Sequence, residues 1–261
     1  MTVIANETKR KCREGKVTLG AGIRLARTVE AGMAMKACGY DWLFIDTEHG
    51  PLTLDSASQV SIAALRQGVT PIVRVAALEG HLITRILDGG AQGIVLPHVN
   101  TAEEARELVR IAKFPPEGDR SSGGALPQTG YEPMPPAEML PALNRETLLV
   151  PMIETPEAGE AAEEIAAVEG IDVLLIGTND LCLGMGIPGA HEHERVNKVY
   201  DQVISACKKH GKTPGMGGAY GAEVIERRIG EGIRFILSGS DFSFMMAGAR
   251  AQAEAIRKIQ I

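Results

Sequence analysis

The stretch Asp41–Pro51, DWLFIDTEHGP, sets the organisation of this chain. Its first half is an apolar run, 42–45, of the kind that forms a buried strand. Its second half holds three titratable residues, Asp46, Glu48 and His49, before a Gly-Pro turn. Catalytic groups in α/β proteins often lie on the loops after such strands, because a rigid sheet fixes their positions. The stretch predicts part of an active site, although a polar loop with a capping aspartate is equally compatible with it.

The rest of the chain repeats the pattern of a short apolar strand followed by a helix. The strand segments are β-branched and continuous, which is typical of parallel strands covered on both faces. The helical segments have apolar residues near helical spacing, and several end at glycine. The predicted strands are 17–23, 41–46, 70–75, 91–97, 147–154, 172–177, 212–217 and 233–238. The predicted helices after them are 28–38, 54–66, 79–87, 101–113, 156–170, 192–210, 222–229 and one from 241 onward.

Eight strand–helix units in about 250 residues predict a (β/α)8 TIM barrel, formed by residues 1–261 as one domain. A doubly wound open sheet is the alternative, but it favours a GxGxxG turn after an early strand, and the sequence has none. Two segments lie outside the repeat, a polar helical lead-in of about residues 1–15 and a long insertion, 114–146. Irregular segments of this length are often functional, so we expect the insertion to cover the active site or to complete it across a subunit interface.

Composition and charge argue against several classes of function. The net charge of −6 argues against nucleic acid or an anionic membrane surface as a partner. No apolar run approaches the ~20 residues that span a bilayer, and the N-terminal segment lacks the apolar core of a signal peptide. The four cysteines are far apart and form no CxxC pair. They therefore predict reduced thiols in a cytoplasmic protein, and neither disulfides nor a zinc site.

Titratable residues follow four of the predicted strands, and a barrel brings all carboxyl strand ends to one rim. In chain order they are Asp46 with Glu48 and His49, then Arg74, Glu154 and Asp180. Glu154 and Asp180 come from neighbouring strands and can hold a hard divalent cation such as Mg²⁺, which takes one or two carboxylates and leaves other positions to water and substrate. The alternative is that one of the two only caps a helix.

The other rim residues have candidate roles in proton transfer and substrate binding. His49 is the natural general base, and Asp46, three residues earlier, is expected to orient its ring. Arg74 can bind a carboxylate or an enolate through two parallel hydrogen bonds, and its alternative role is a salt bridge with Glu48. His98, just past the fourth strand, lies on the same rim, where a pocket-lining role and a structural role are equally supported.

Lysine is missing from the predicted carboxyl ends of the strands. A Schiff-base mechanism would therefore lack its nucleophile, and carbonyl chemistry at this rim needs a metal as Lewis acid. The backbone N–H groups of Thr178 and Asn179, which follow Gly177 near a helix start, are candidates for binding a substrate carboxylate. Arg24 could meet the far end of a substrate but more often such residues make surface pairs. The HEHE run at 191–194 favours a polar helix start over a metal site.

Six motifs spread over most of the chain resemble one known family. They are DWLFIDxEH, PIVR, LDGGAQGIVLPHVxTAEEA, FPPxGxR, IETPEA and IGxxDL. Together they resemble the HpcH/HpaI aldolase family, metal-dependent pyruvate aldolases related to 4-hydroxy-2-oxoheptanedioate aldolase, from about Leu19 to Arg250. Three departures leave the acceptor specificity open. They are Met152 where the family often has glutamine, IGTNDL for IGPADL, and the Gly22–Arg24 region where an aromatic residue is often seen.

The resemblance implies a reaction, a site and an assembly on a barrel of the phosphoenolpyruvate/pyruvate type. The reaction is the reversible cleavage of a 4-hydroxy-2-oxoacid to pyruvate, or a related 2-oxoacid such as hydroxypyruvate, and an aldehyde through a metal-stabilised enolate. Glu154 and Asp180 would bind a divalent metal, Mg²⁺ before Mn²⁺ or Co²⁺. His49 and Asp46 would form the base pair, and Arg74 would contact the keto or enolate oxygen. The assembly would be a homo-oligomer, a hexamer built as a trimer of dimers, in which the last helix packs on a partner subunit.

Three alternative activities remain open. Decarboxylation of oxaloacetate fits the same site, because the match lies close to a branch that includes macrophomate-synthase-like proteins. An acyl-CoA lyase would need a basic site for the adenine phosphates, which the sequence does not show. A metal-free phosphosugar isomerase would use the glycine-rich ends of the seventh and eighth strands to bind phosphate.

Overall fold

Eight parallel strands close into a barrel in the computed structural model, which describes residues 2–259. Each strand pairs with the next one in sequence, and β8 pairs with β1. The strands are β1 (Thr18–Ile23), β2 (Trp42–Asp46), β3 (Thr70–Arg74), β4 (Gly93–Leu96), β5 (Leu148–Ile153), β6 (Val173–Gly177), β7 (Thr213–Gly217) and β8 (Phe235–Ser240). The predicted (β/α)8 barrel is confirmed.

Helices cover the outside of the barrel and connect its strands. They are α1 (Glu7–Arg13), α2 (Glu30–Ala37), α3 (Leu54–Arg66), α4 (Gly80–Asp88), α5 (Ala102–Ala112), α6 (Pro136–Glu146), α7 (Pro156–Glu160), α8 (Ala162–Ala166), α9 (Thr178–Gly184), α10 (Glu194–His210), α11 (Ala222–Glu231) and α12 (Asp241–Arg257). The segment 156–170, predicted as one helix, is the two short helices α7 and α8. The predicted cap at Thr101 is a full capping box with Glu104.

The alternation of side chains along the strands decides which residues enter the barrel. Successive strand residues point to opposite faces, so Trp42 and Phe44 join the interior cluster while Leu43 and Ile45 join the outer core under the helices. Asp46 is the next inward position. In the same way, the inward residues Ile72, Met152 and Leu175 are each followed, two positions later, by another inward position. Those next inward positions are Arg74, Glu154 and Gly177. Four strands thus deliver their last inward position to the upper rim.

An aromatic layer fills the barrel below that rim. The Trp42 ring stacks on Phe235 with a centroid separation of 3.9 Å, and both side chains are fully buried. A Cβ on Gly20 would lie 2.2 Å from the Trp42 ring, so only glycine leaves room for the indole. This packing explains the glycine in β1 and gives the rim a solid apolar floor.

The insertion 114–146 lies at the amino end of the barrel. It connects the end of α5 to the start of β5, and helices of a barrel run back to the amino ends of the strands. Arg120 is buried and donates to Asp88 at 2.6 Å, and Gln128 donates to the carbonyls of Leu87 and Ala91. Among the residues described, none from the insertion lines the cavity at the opposite rim. The insertion therefore does not cover the active site of its own chain, contrary to one prediction, and its role across an interface stays a prediction.

The last helix, α12, has no buried residue within its own chain. Its exposed apolar side chains include Phe242, Phe244, Met245 and Ile256. The packing of α12 on a partner subunit stays a prediction. Across residues 2–259, none of the helices combines the length and the apolar character that a membrane span requires.

Candidate active site

A cavity of about 330 Å³ opens at the carboxyl ends of the strands. This volume suits a small-molecule ligand. Six predicted residues line the cavity together, namely Asp46, His49, Arg74, Gly177, Asn179 and Asp180. Glu154 lies in the wall next to Gly177, whereas the side chain of Thr178 points away from the cavity into the surrounding core.

Asp46 holds both a neighbouring arginine and the loop that follows its own strand. Arg74 donates to its carboxylate through Nε at 3.0 Å and Nη2 at 2.7 Å, and the backbone N–H groups of Glu48 and His49 each donate to Oδ1 at 3.1 Å. Burial acts to raise the pKa of this carboxyl, but the hydrogen bonds and charge of Arg74 outweigh it, so the pKa lies below its ordinary value. The predicted contact between Asp46 and the His49 ring is absent, because Arg74 and the loop amides occupy the carboxylate.

Arg74 is buried between two carboxylates and an aromatic ring. Besides Asp46, its Nη1 lies 2.9 Å from Oε2 of Glu48, and its guanidinium carbon lies 5.0 Å from the centroid of Phe44. The salt bridge considered as an alternative role is therefore present. A guanidinium has five N–H donors, and these contacts leave at least two of them for a ligand. The two carboxylates fix the orientation of the guanidinium and still leave N–H donors for a ligand.

Glu48 is the carboxylate closest to the ring of His49. Its Oε2 lies 3.9 Å from Nε2 of His49, and its Oε1 lies 3.1 Å from Nε2 of His98. The His49 side chain is about half exposed (55%), and its backbone carbonyl accepts from Arg24 at 2.7 Å. The backbone of His49 is thus held on both sides while the imidazole stays free to meet a ligand in the cavity.

Glu154 is a buried carboxylate with one oxygen left open. Its Oε2 accepts from the backbone N–H of His98 at 2.9 Å, whereas Oε1 has no hydrogen-bond partner among the described residues. A Cβ on Gly177 would lie 2.7 Å from Oε1. Burial raises the pKa of Glu154, the N–H of His98 opposes that shift, and the charge of Asp180 adds to it. An anionic Glu154 at this place calls for a positive partner.

The donor set at this point fits a divalent metal that shares its coordination with substrate. Asp180 lies in the first turn of α9, half-buried and lining the cavity. This helix follows β6, the strand next to β5, after which Glu154 lies. Within residues 2–259 no group of three or more His, Cys, Asp or Glu residues could enclose an ion. Two carboxylates, one with an unpartnered buried oxygen, match a cation that takes its remaining ligands from water and substrate.

His98 supports Glu154 from an unfavourable backbone conformation. Its φ is +57°, in the left-handed region that non-glycine residues rarely adopt. The conformation directs its N–H to Glu154, and the ring lies between Glu48 and Glu154, with Nδ1 3.4 Å from Oε2 of Glu154. Strain of this kind typically costs about 1 kcal/mol or more and persists where the surroundings enforce it. His98 therefore positions Glu154.

Of the three residues predicted to bind ligand at the end of β6, Gly177 and Asn179 line the cavity, whereas the side chain of Thr178 lies in the core. Thr178 is buried, and its hydroxyl contacts the carbonyl of Gly217 at 2.7 Å and the hydroxyl of Tyr200 at 2.8 Å. Asn179 lines the cavity, with Oδ1 2.9 Å from Nε2 of His191, so the HEHE run reaches the edge of the site. No side chain caps α9, which leaves its first backbone N–H groups without a capping partner.

The wall formed by β7, β8 and the start of α12 was missed from the sequence apart from its small residues. Tyr220, Phe242 and Ser243 line it. The carboxylate of Asp241 accepts the backbone N–H groups of residues 24–26, which ties the loop carrying Arg24 to α12. The only local signal was the SGSDFS run, where Ser240 and Ser243 form the capping box of α12.

Residues 29–242 match the family model described as HpcH/HpaI aldolase/citrate lyase. The 4-hydroxy-4-methyl-2-oxoglutarate aldolase of Hapsidospora irregularis is 38% identical, over 100% of this chain and 98% of its own. The hydroxypyruvate/pyruvate aldolase of Delftia acidovorans is 34% identical, over 100% of this chain and 96% of its own. The crystal structure of an HpcH/HpaI aldolase from Desulfitobacterium hafniense DCB-2 has a TM-score of 0.92 to this chain at 29% identity, covering 97% of each.

Proposed function

The chain belongs to the HpcH/HpaI aldolase/citrate lyase family and is an aldolase, a carbon–carbon lyase, and we propose that it reversibly cleaves a 4-hydroxy-2-oxoacid. The products are pyruvate, or a related 2-oxoacid such as hydroxypyruvate, and a carbonyl acceptor such as an aldehyde. The observation that carries this proposal is the unpartnered oxygen of the buried Glu154. This oxygen lies beside the cavity that Asp180 and Arg74 line together. A 2-oxoacid and its enolate need a cation and a hydrogen-bond donor in that arrangement.

The proposed cofactor is a divalent metal held by Glu154 and Asp180, with Mg²⁺ preferred over Mn²⁺ or Co²⁺ because all the protein ligands are carboxylate oxygens. When bound, the metal supplies the Lewis acidity that stabilises negative charge on the oxygens of the 2-oxoacid. The space beside Oε1 of Glu154 exists because residue 177 has no side chain.

Arg74 is proposed to stabilise the enolate. Its free N–H groups would donate to the oxygen on which charge develops as the C3–C4 bond breaks. Asp46 and Glu48 hold the guanidinium in place before substrate arrives, so little reorganisation is needed during the reaction. The apolar floor under it, with Phe44 and Leu237 in the cavity lining, limits the access of water to the enolate.

His49 is proposed as the general base. Its imidazole would take the proton of the 4-hydroxyl group as the C3–C4 electrons move to the enolate, and Glu48 at 3.9 Å would stabilise the resulting imidazolium. The enolate then takes a proton at C3 to give pyruvate. The backbone N–H groups of Thr178 and Asn179 are proposed to bind the carboxylate of the 2-oxoacid at the uncapped start of α9.

The acceptor half of the substrate would lie near Arg24 at the mouth of the cavity. Cleavage of a 4-hydroxy-4-methyl-2-oxoglutarate between C3 and C4 gives two molecules of pyruvate, so an acceptor of that class carries its own carboxylate. Arg24 is half exposed (50%) and lies 3.5 Å from Asp46 through Nε. An Arg24→Gln variant should raise KM for substrates whose acceptor part bears a carboxylate, and leave KM unchanged for neutral acceptors.

Proton exchange tests the donor chemistry without a known acceptor. Pyruvate alone in D₂O should exchange its methyl protons, followed by NMR, only when a divalent metal is present. The exchange rate should fall by ~10²–10³ in Arg74→Ala. Arg85→Ala, which removes an exposed arginine of α4 with no ion pair within the described residues, is the matched control. If the folded enzyme shows no metal-dependent exchange with any of several divalent ions, the metal-free isomerase activity is favoured over the proposed cleavage.

The role of His49 can be tested by comparing two reactions that share the enolate. Aldol cleavage requires removal of the 4-hydroxyl proton, whereas decarboxylation of oxaloacetate breaks a bond to carbon dioxide and has no such proton. His49→Ala should therefore lose cleavage but retain decarboxylation wherever the wild type shows it. Equal loss of both activities would assign His49 to substrate binding and not to proton transfer.

The proposed setting is a cytoplasmic homo-oligomer, a trimer of dimers with α12 packed on a partner subunit. The absence of any buried residue on α12 supports the packing, and four free cysteines support a reducing compartment. Phe242 belongs both to this helix and to the cavity lining, so assembly would also fix one wall of the site. Light scattering of the purified protein measures the mass of the assembly directly.

A further inference from the structure

A second cavity, of about 320 Å³, lies under the amino ends of β5, β6 and β7. It is on the opposite side of the barrel from the site described above. Its walls come from α1, from both ends of the insertion, and from the turns before β6 and β7. Basic side chains dominate it: Lys9, Arg13, Lys113, Arg145 and Lys212. The reaction proposed above uses none of them.

Three ammonium groups line this cavity, and two of them, on Lys113 and Lys212, retain one N–H each. Lys9 donates to the carbonyl of Thr147 at 2.6 Å and to the carboxylate of Asp172 at 2.9 Å. Lys113 donates to the carbonyls of Asn144 and Thr147. Lys9 also lies 2.9 Å from the second carboxylate oxygen of Asp172, so its three N–H donors all have acceptors. Lys113, with two acceptors, has one N–H to spare. Lys9 and Lys113 are more than nine-tenths buried, which makes their positions fixed.

Lys212 completes the set from the turn before β7. Its ammonium donates to the carbonyls of Val168 and Ile171 at 3.2 and 2.8 Å and also retains one N–H. Arg13 and Arg145 add two exposed guanidiniums that have no ion pair within residues 2–259.

The charge around this cavity is not balanced by the protein. Five cationic side chains line it, against the carboxylates of Glu117, Glu169 and Asp172. Of these three, only Asp172 is paired with a lining cation, Lys9, among the described residues. Burial, followed by repulsion from Lys9, lowers the pKa of Lys113 to about 8, which is the response of a cation short of anionic partners. An acidic protein that gathers cations in one enclosed place provides a site for an anion.

We propose that this cavity binds a small organic phosphate, with one phosphate oxygen directed to each free ammonium N–H and the mouth arginines closing on the rest of the ligand. A phosphate monoester has three oxygens and close to two negative charges, which match the free N–H groups of Lys113 and Lys212, the mouth arginines and the local excess of cations. At ~30 Å³ per water-sized group, the cavity holds on the order of ten heavy atoms, more than an inorganic phosphate needs.

The test is calorimetric titration of metal-loaded wild-type enzyme with 3-phosphoglycerate and, separately, with inorganic phosphate. The informative variant is Arg13→Gln/Arg145→Gln, because both side chains are exposed and unpaired, so the fold should not depend on them. Lys36→Gln/Lys198→Gln, which removes two exposed cations elsewhere, is the matched control. Arg74→Ala reports binding at the opposite rim, and Lys113→Met removes a cation inside the cavity.

Saturable binding of 3-phosphoglycerate is expected in wild type, in the control pair and in Arg74→Ala. Affinity should fall roughly tenfold in Arg13→Gln/Arg145→Gln and further in Lys113→Met. Weaker binding of inorganic phosphate would identify the ligand as organic, and equal binding would identify free phosphate as its source. The proposal is overturned if 3-phosphoglycerate does not bind, if the mouth variant binds as tightly as the control pair, or if binding is lost in Arg74→Ala.

Discussion

The two ends of the barrel hold buried charge in opposite ways. At the amino end, the ammonium group of Lys9 is satisfied by the carbonyl of Thr147 and by the paired carboxylate of Asp172. At the carboxyl end, Glu154 keeps one oxygen without a partner, and His98 beside it is held in a left-handed conformation. The amino end also has unpartnered buried atoms, Nε of Arg120 and Oε1 of Gln128, and a left-handed residue, Tyr131. Among the described residues, however, the buried carboxylate oxygens without a hydrogen-bond partner lie at the carboxyl end, beside the cavity.

This difference separates residues that stabilise the fold from residues that are ready for chemistry. A buried polar atom without a partner costs about 1–3 kcal/mol, and backbone strain adds to that cost. Proteins retain such costs at functional sites and relieve them elsewhere. Neutralising Glu154 should therefore raise stability, whereas neutralising Lys9, which is paired with Asp172, should lower it.

The largest effect is expected at Glu154. Glu154→Gln should reduce metal-dependent cleavage or exchange roughly 10³–10⁴-fold, because it removes a charge proposed to hold the metal. The metal-free variant should nevertheless be more stable than wild type by ~1 kcal/mol, since it no longer buries an unpaired charge. Urea unfolding and calorimetric metal titration measure the two effects. Glu157→Gln, an exposed carboxylate three residues on, is the control; a less stable Glu154→Gln would break the contrast.

Lys9 should give the opposite result. Lys9→Met leaves Asp172, whose side chain is only 16% exposed, without its cation and takes a donor from Thr147. Loss of one partner from a buried pair costs about 3 kcal/mol or more. Lys11→Met, which breaks a more exposed pair with Asp41, should cost less than about 1 kcal/mol. Both variants should keep wild-type kcat. A Lys9→Met protein as stable as Lys11→Met would show that the amino end is not held by its lysines.

The pH dependence of stability should reveal Lys113. Its pKa is about 8 in the folded protein against 10.5 ordinarily, because of burial and then the charges of Lys9 and Arg13, partly offset by Asp172 and Glu117. Between these values the unfolded chain binds more protons than the folded one, so this group makes the free energy of unfolding rise with pH. The rise should be ~2 kcal/mol between about pH 7 and pH 10.

The contribution of Lys113 is the difference in the free energy of unfolding between wild type and Lys113→Met, measured by urea unfolding at both pH values. Wild type should gain stability relative to the variant as the pH increases. Parallel behaviour of the two proteins would mean that Lys113 keeps its proton throughout this range and that the amino end contains more anionic compensation than the structure shows.

The smallest effect separates the backbone of His98 from its ring. His98→Ala and His98→Gly both remove the imidazole, but only glycine adopts φ +57° without strain. His98→Gly should therefore be more stable than His98→Ala by about 1 kcal/mol in thermal unfolding. Equal stability would show that residue 98 relaxes out of the left-handed region once the ring is gone. Metal affinity should change equally in both, because both lose the ring beside Glu154 and keep the N–H that contacts it.

Much of the fold could be predicted because its signals are local. Continuous apolar runs and glycine stops mark most strand–helix units. Seven of the eight strands lie within the predicted segments, and β8 extends two residues beyond its segment. The break between α7 and α8 was missed, although Gly159 lies two residues before Ala161. The position of the insertion was predictable in principle, because a segment between a helix and the next strand belongs to the amino end of a barrel.

The identity of the rim residues was easier to predict than their partners. Strand ends converge, so Asp46, Arg74 and Asp180 were expected to share one cavity, and they do. The pairing of Asp46 with Arg74 depends on strand parity and register, which place the two side by side on adjacent strands. The conformation of His98 and the wall carrying Phe242 depend on packing between distant segments, which leaves little trace in the local sequence.

Gly177 and Asn179 should differ in the substitutions that they tolerate under genetic selection. A Cβ there would stand 2.7 Å from Oε1 of Glu154, in the space assigned to the metal, whereas the side chain of Asn179 is exposed in the open cavity. If both codons were randomised and survivors chosen for aldolase-dependent growth, position 177 should return only glycine and position 179 a broader set of polar residues. Position 177 tolerates only a hydrogen as its side chain, whereas position 179 can accept different polar residues. Substrate preference can therefore evolve at position 179 while the neighbouring metal position stays unchanged.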